Sequence, residues 1–496
     1  MDVSFILVIL LSGAVATWLV GDKWAAKTAL IFSGLAFAAT LFIIYLFAKG
    51  QGLIFTWHNG FVITPGKGVS FSHLWTSTPH IVLGFQADPL SLTMTALTTA
   101  LTPVIVYSSF GNLFPKTRAF YALIMFMAFA MVGTFLSVDG FVYYIFWELS
   151  LIPIYFIAMI WGNGDVEGRK KAIIKFFIYT FAGSLFMLVA FIFLYTRAHS
   201  FLNLRLYNAL LTLNEQRWIF WAFFLAYAIK TPIIPFHTWQ ANTYQKAPAA
   251  GTMLLSGIML KMALFSIVRW QLPITPLAAH EYKYIVIGLC IAGVIYGSVL
   301  ALKQTNIKKL LAYSSLAHVG LIAAGVYTLT QDGIKGAFIQ MIAHGFGVVG
   351  LFFAAEVIER RYGTQEIAEM GGIRSQAPKF ASMFMILVLA SVALPGTFNF
   401  VGEFELLYSL AQLHIWFAIV GGTTIILGAF YMLRMFQQVM LGATNPKPFA
   451  DVTFGEGLTF VVIITVLIGF GLYPKPISDF LLPGIDKVLV YINRYN

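Results

Sequence analysis

Fourteen stretches of this 496-residue chain are apolar over about the length needed to cross a bilayer, and that limits the fold more than any single residue. A spanning helix needs about 20 such residues. A spanning strand would need only about 9–11, alternating in polarity. The segments are helix-length and fall at 3–20, 28–48, 89–110, 119–138, 140–161, 172–195, 217–236, 250–270, 284–302, 310–329, 335–358, 380–410, 413–434 and 457–474. Only 10% of residues are charged, against about 25% in soluble domains. An all-α polytopic membrane protein is therefore predicted. Two of its helices should be broken. Segment 380–410 is too long for a simple span and contains Pro395-Gly396, and segment 217–236 has Pro232 and Pro235 just after Lys230. Proline removes a backbone donor, and in lipid the freed groups must be satisfied by protein or water.

The net charge of +11 does not point to nucleic acid, because the basic residues are scattered over short loops and form no stripe. Counted over alternate loops, 18 Lys/Arg fall in one set, which includes Lys308, and 11 in the other, which includes Arg269. The richer set should face the cytoplasm, with both termini on the opposite side. Cys290 is the sole cysteine, so no intrachain disulfide or cysteine-ligated cluster is possible. Residues 3–20 read as a first span and not as a cleavable signal, since Met-Asp before them is not basic.

Four ionisable side chains lie inside the apolar segments: Glu148, Lys230, Lys261 and Glu403. A charge at a helix centre costs roughly 2.5–3.5 kcal/mol even on the gentler scales. Four of them read as a path for protons or ions. Glu148 has no neutralising residue within a turn, so its partner must come from another helix, and Lys230 is the candidate. Burial disfavours an ammonium and a nearby carboxylate favours it. A Glu–Lys pair that can separate therefore changes its proton affinity. Lys261, in GTMLLSGIMLKM, could exchange protons with Lys230 through water. His318 and His344 lie in consecutive spans and suit proton relay, although either alone would serve equally as a hydrogen-bonded core residue. Ser314, Ser315, Tyr313 and Gln340 could hold intervening water. Glu403 lies eight residues past Pro395, where the glycines and Asn399 suit an irregular backbone; Glu405 would face elsewhere. Asp88 suits a helix N-terminus with Pro89 in the first turn.

Glu148 and Lys230 are 82 residues apart, and His318 and Glu403 are 85 apart. Each pair runs from one span to a broken span two helices on. The implied unit is five helices, an odd number, so two copies would be inverted. The expected organisation is 1–118 for spans one to three, 119–270 for the first repeat, 284–434 for the second, and 435–496 for the last span and tail. There is no Walker motif, no GxGxxG opening a helix and no haem-type histidine pair. The chain is expected to bind no redox cofactor and no metal.

The stretches FWELSLIPIYF, AIKTPIIPFHTW, GTMLLSGIMLKM, KKLLAYSSLAHVG and ALPGTFNFVGEF together resemble the antiporter-like membrane subunits of respiratory complex I, which are related to Mrp-type cation/proton antiporters. The resemblance spans nearly the whole chain and implies fourteen helices with two inverted five-helix repeats. It places the family's proton-channel residues on Glu148, Lys230, Lys261, His318, His344 and Glu403. A glutamate at the terminal position, where the L-type and N-type branches usually have lysine, resembles the M-type branch. One departure stands out: where the family commonly reads LPDAHxEAP after PFHTW, residues 240–248 read QANTYQKAP, expected to be a cytoplasmic loop. The resemblance further implies coupling of proton transfer to quinone reduction elsewhere, with NADH, FMN, iron–sulfur clusters and quinone held by partner subunits. L-type and N-type subunits are the expected neighbours, in a bacterial inner membrane. An Mrp-type Na⁺/H⁺ antiporter subunit, or the same subunit in a ferredoxin- or formate-linked complex, is the alternative.

Overall fold

The computed structural model describes residues 3–49, 54–57, 61–63, 81–110, 114–443 and 446–495. In chain order the main helices are α1 (Ser4–Leu19), α2 (Asp22–Ala48), α3 (Pro89–Ser108), α4 (Thr117–Leu136), α5 (Gly140–Trp161), α6 (Val166–Ala198), α7 (Leu213–Lys230), α8 (Gln240–Lys246), α9 (Ala249–Ile274), α10 (Pro276–Leu302), α11 (Ile307–Val326), α12 (Gln331–Tyr362), α13 (Pro378–Ser391), α14 (Phe398–Leu413), α15 (Ile415–Leu441), α16 (Phe454–Leu472) and α17 (Lys475–Ile492). Eleven of these are long and apolar enough to cross a membrane. The remaining three expected spans correspond to the shorter α1, to α7 with the turn that follows it, and to the pair α13/α14. Between α2 and α3 no span was expected. Three short strands form an antiparallel sheet there, with Ile54–Trp57 between Phe61–Ile63 and Leu83–Gln86.

Both breaks occur where proline dictates them. Pro232 has no N–H for the carbonyl of Ala228, so Ile233 N–H bonds to it instead (2.8 Å). The carbonyl of Ile229 thereby loses its usual donor, and the indole N–H of Trp239 takes it (2.8 Å). This is how a chain in lipid can afford an interrupted helix. At the second break, Ala393 (φ 56°) and Gly396 (φ 91°) turn the chain between α13 and α14. A side chain on Gly471 would strike the carbonyl of Gly396 at 2.4 Å, so α16 seals the break only because that residue is glycine. The irregular backbone ends at Thr397, and Asn399 and Glu403 are helical, contrary to the irregular setting expected for them.

Burial runs inside out relative to a soluble protein. α9, α11 and α12 are almost wholly enclosed, whereas α1, α2, α6, α15 and α16 present Trp18, Ile31, Val189, Ile426 and Val461 outward. Lys261, Lys308, His318 and His344 on these three helices are thus enclosed within the bundle. Residues 240–248 are also not a loop. They form α8, which buries Gln240, Thr243 and Tyr244 and packs on α6 and α11. The tail after the last span is the amphipathic helix α17, which buries Leu481, Ile485 and Val488 against α3 and α12.

Candidate functional site: a buried row of ionisable side chains

The six expected site residues fall into three groups rather than a continuous chain. In the first, Lys230 ends α7 with 1% exposure. Its Nζ donates to Ser150 Oγ on α5 (3.1 Å) and lies 3.8 Å from the centre of the Trp147 ring. Trp147 and Ser150 are one turn apart and share a face. Glu148 points around the helix toward Ser184 of α6 and keeps one oxygen, Oε1, without a partner. It acts on Lys230 through space. Among the described residues the two make no ion-pair contact, so the partnership expected from sequence is open in this conformation.

The second group is Lys261 and His344. Lys261 has no exposed surface. Its Nζ lies 2.7 Å from His344 Nδ1 and donates to the carbonyl of Ser256 (2.5 Å). Leu255–Met259 form a π turn within α9. Such a turn widens the helix and frequently marks a functional position; here it leaves a carbonyl within reach of the ammonium. The sequence suggested that Lys261 could exchange protons with Lys230 through water; its direct side-chain partner in the structure is His344 of α12.

The third group is His318 and Glu403. His318 Nδ1 lies 2.8 Å from Glu403 Oε1, and Gln340 Nε2 donates to the same oxygen (3.1 Å). Glu403 Oε2, Gln340 Oε1 and Asn399 Oδ1 are buried without a partner. A cavity with about 20 Å³ of room for water lies alongside, lined by Ser314, Ser315, His318, His344 and Asn399. That is enough for about one water molecule. Tyr431 of α15 donates to Ser314 Oγ (3.0 Å) and Ser315 Oγ is 3.2 Å from Ser256 Oγ. Ser314 and Ser315, expected from sequence to hold water, thus line a cavity of that size, and Gln340 binds the carboxylate directly. Glu405 does face elsewhere, toward Lys335 (3.4 Å).

Two basic residues assigned to loops are built into the protein. Lys308, on the first turn of α11, is fully buried and lies 2.5 Å from Glu359 Oε2 of α12. Asn163 and Gln365 donate to the other oxygen (3.2 and 2.6 Å). Arg269 of α9 pairs with Asp88, which caps α3 as expected. Loop counting missed both because each partner lies far away in sequence. Trp147, Ser150 and Tyr431 went unnoticed for a related reason: aromatic and hydroxyl residues are common in spans, and only the fold shows which of them face a charge.

A polytopic helical protein with a buried row of lysine, histidine and glutamate is, in class, an ion- or proton-translocating membrane subunit. The family described as NADH:quinone oxidoreductase/Mrp antiporter, TM, matches residues 137–428, and the chain belongs to it. NADH-quinone oxidoreductase subunit M of Rickettsia prowazekii (strain Madrid E) is 34% identical over 95% of this chain and 93% of its own length. A chain in the structure of respiratory complex I from Thermus thermophilus with bound NADH is 25% identical, with a TM-score of 0.87 and 99% of each chain covered. A chain of the Mrp complex from Dietzia sp. DQ12-45-1b shares the fold (TM-score 0.84) at 18% identity over 99% of this chain and 98% of its own.

Proposed function

We propose that this chain is the M-type proton-translocating subunit of an NADH:quinone oxidoreductase. The observation that carries the reading is the row itself: Lys230, Lys261, His344, His318 and Glu403, each at most 5% exposed, spread over five helices of an otherwise apolar interior. The similarity to subunit M along nearly the whole chain supports it. Electron transfer takes place on NADH, FMN, iron–sulfur clusters and quinone in partner subunits, and this chain contributes to the enzyme as its proton carrier. L-type and N-type subunits flank it in a bacterial inner membrane, with both termini on the non-cytoplasmic side. The repeats 119–270 and 284–434 supply equivalent halves of the path.

Movement of Glu148 toward or away from Lys230 changes the proton affinity of the lysine. Lys261 exchanges protons with the cytoplasmic side, His344 and His318 relay along the midplane, and Glu403 receives at the far end. Moving one proton against about 100 mV takes roughly 2.3 kcal/mol. A change of about two pKa units, at about 1.36 kcal/mol each, supplies it. Replacing Lys230 or Glu148 with Ala in the assembled complex should abolish proton pumping in proteoliposomes. Full pumping by the double variant would refute the relay. Purification of the chain with cation-antiporter subunits, and without NADH-oxidising ones, would favour the Mrp reading.

A further inference from the structure

We infer that Trp147 and Ser150 form a berth for the Lys230 ammonium that competes with Glu148 and so sets how readily the Glu148–Lys230 pair opens. The inference rests on the relay reading above and adds two positioning residues to it.

The geometry is specific. An ammonium leaving a carboxylate inside a protein needs a replacement for the lost charge, or it does not leave. Here the replacement is visible. The Trp147 ring centre is 3.8 Å from Nζ, well inside the roughly 6 Å reach of a cation–π contact, and tryptophan offers the strongest aromatic face. The Ser150 hydroxyl donates to the carbonyl of Trp147 (2.7 Å). Its proton is therefore committed, and its oxygen lone pairs are turned to Lys230 Nζ at 3.1 Å. Trp147 is itself fixed by Tyr143 and Tyr227, with ring centres 5.8 and 5.6 Å away. All of these groups are buried, and cation–π contacts gain strength when desolvated. Glu148 is the charged group that acts on Lys230, and it sits between the two berth residues in sequence but on another face. One helix thus carries both resting places for the lysine, about a quarter-turn apart. A small rotation of α5, or a shift in what Glu148 meets, moves the ammonium from one to the other.

The test is an electronic series at position 147 that leaves shape nearly unchanged. Tryptophan analogues bearing increasing numbers of ring fluorines, inserted at Trp147 alone, progressively weaken the negative ring face. Pumping is read in proteoliposomes containing the intact complex. The rate should fall monotonically along the series, by about tenfold at its end. Ser150→Ala should also slow pumping, and Ser150→Thr, which keeps the hydroxyl, should restore it. A packing role would produce neither the fluorine dependence nor the threonine rescue. A flat fluorine series in a complex that Lys230→Ala silences would overturn the berth and leave the relay standing. A Lys230→Ala complex that pumps at the full rate would overturn both.

Discussion

Lys308 and Glu359 are unequally buried, so replacing one should hurt far more than replacing the other. The Lys308 side chain has no exposed surface, whereas that of Glu359 is 21% exposed and also receives the amides of Asn163 and Gln365. Glu359→Ala strands an ammonium with no counter-ion, a change that costs about 3–5 kcal/mol. Lys308→Met strands only a carboxylate that water and two amides still serve, for about 1–2 kcal/mol. The double variant Lys308→Met/Glu359→Gln removes both charges and keeps an acceptor for the amides, so it should lie within about 1 kcal/mol of the parent. Because complexes of this size unfold irreversibly, the measurement is the half-life of thermal inactivation in detergent. Glu359→Ala should shorten it by about a hundredfold or more, Lys308→Met by much less, and the double variant hardly at all. Equal losses from the two single variants, or additive losses in the double, would refute the reasoning.

Gln340→Leu leaves Glu403 Oε1 with His318 as its partner. Removing a bond to a charged group should slow pumping by about tenfold or more in the assembled complex, and normal pumping would make Gln340 a bystander. Gly402→Ala would put a Cβ 2.4 Å from Gln340 Oε1 and 2.9 Å from Gln340 Cα. Part of that obstacle is backbone, so α12 and α14 must separate at a cost of about 1–3 kcal/mol, seen as reduced subunit in membranes. On the surface, the Lys246 ammonium that bonds Asp165 (2.8 Å) holds this carboxyl below its usual range. The contribution of such a group is present above its unfolded pKa of about 3.9 and is lost as pH falls through the lower folded value. The protection of the Gly168 amide, whose N–H bonds Asp165, measured relative to its intrinsic exchange rate at each pH, should therefore be constant near neutral pH and fall only in acid.

The helical frame was legible because hydrocarbon permits so few alternatives: each apolar segment had to be a helix, and proline marked both interruptions. The ionisable row was legible for the same reason, since charge in such segments is costly enough to stand out. What could not be read was pairing. Nothing in FWELS says that Trp147 and Ser150, not Glu148, meet Lys230, because that depends on how α5 is rotated against α7. Nothing near Lys261 names His344, which is 83 residues away. The amphipathic α17 is not uniformly apolar, so it does not stand out in the sequence as a helix, and the polar sequence of α8 resembles a loop. Its polar atoms are instead absorbed inside the bundle, as with Thr243 Oγ1, which donates to the carbonyl of Trp239 (2.7 Å).

The second and third groups of the row face each other across one gap. The His318 and His344 ring centres are 5.9 Å apart, too far for their nitrogens to share a hydrogen bond even if aimed at each other. Yet each imidazole is bound outward, His344 to Lys261 and His318 to Glu403. A proton passing between them needs a water, and the cavity beside them holds about one. Gly347 lines that cavity, and a Cβ there would meet its nearest atom, Asn399 Nδ2, at an ordinary 3.6 Å. Gly347→Ala should therefore assemble normally. Gly347→Val adds two further methyls at a residue that lines this small cavity, and so competes with the water for its space. At equal amounts of assembled complex, the valine variant should pump far more slowly than the alanine variant. If the valine variant pumps as fast as the parent, protons do not cross between the histidines through this cavity, and the row must be joined another way.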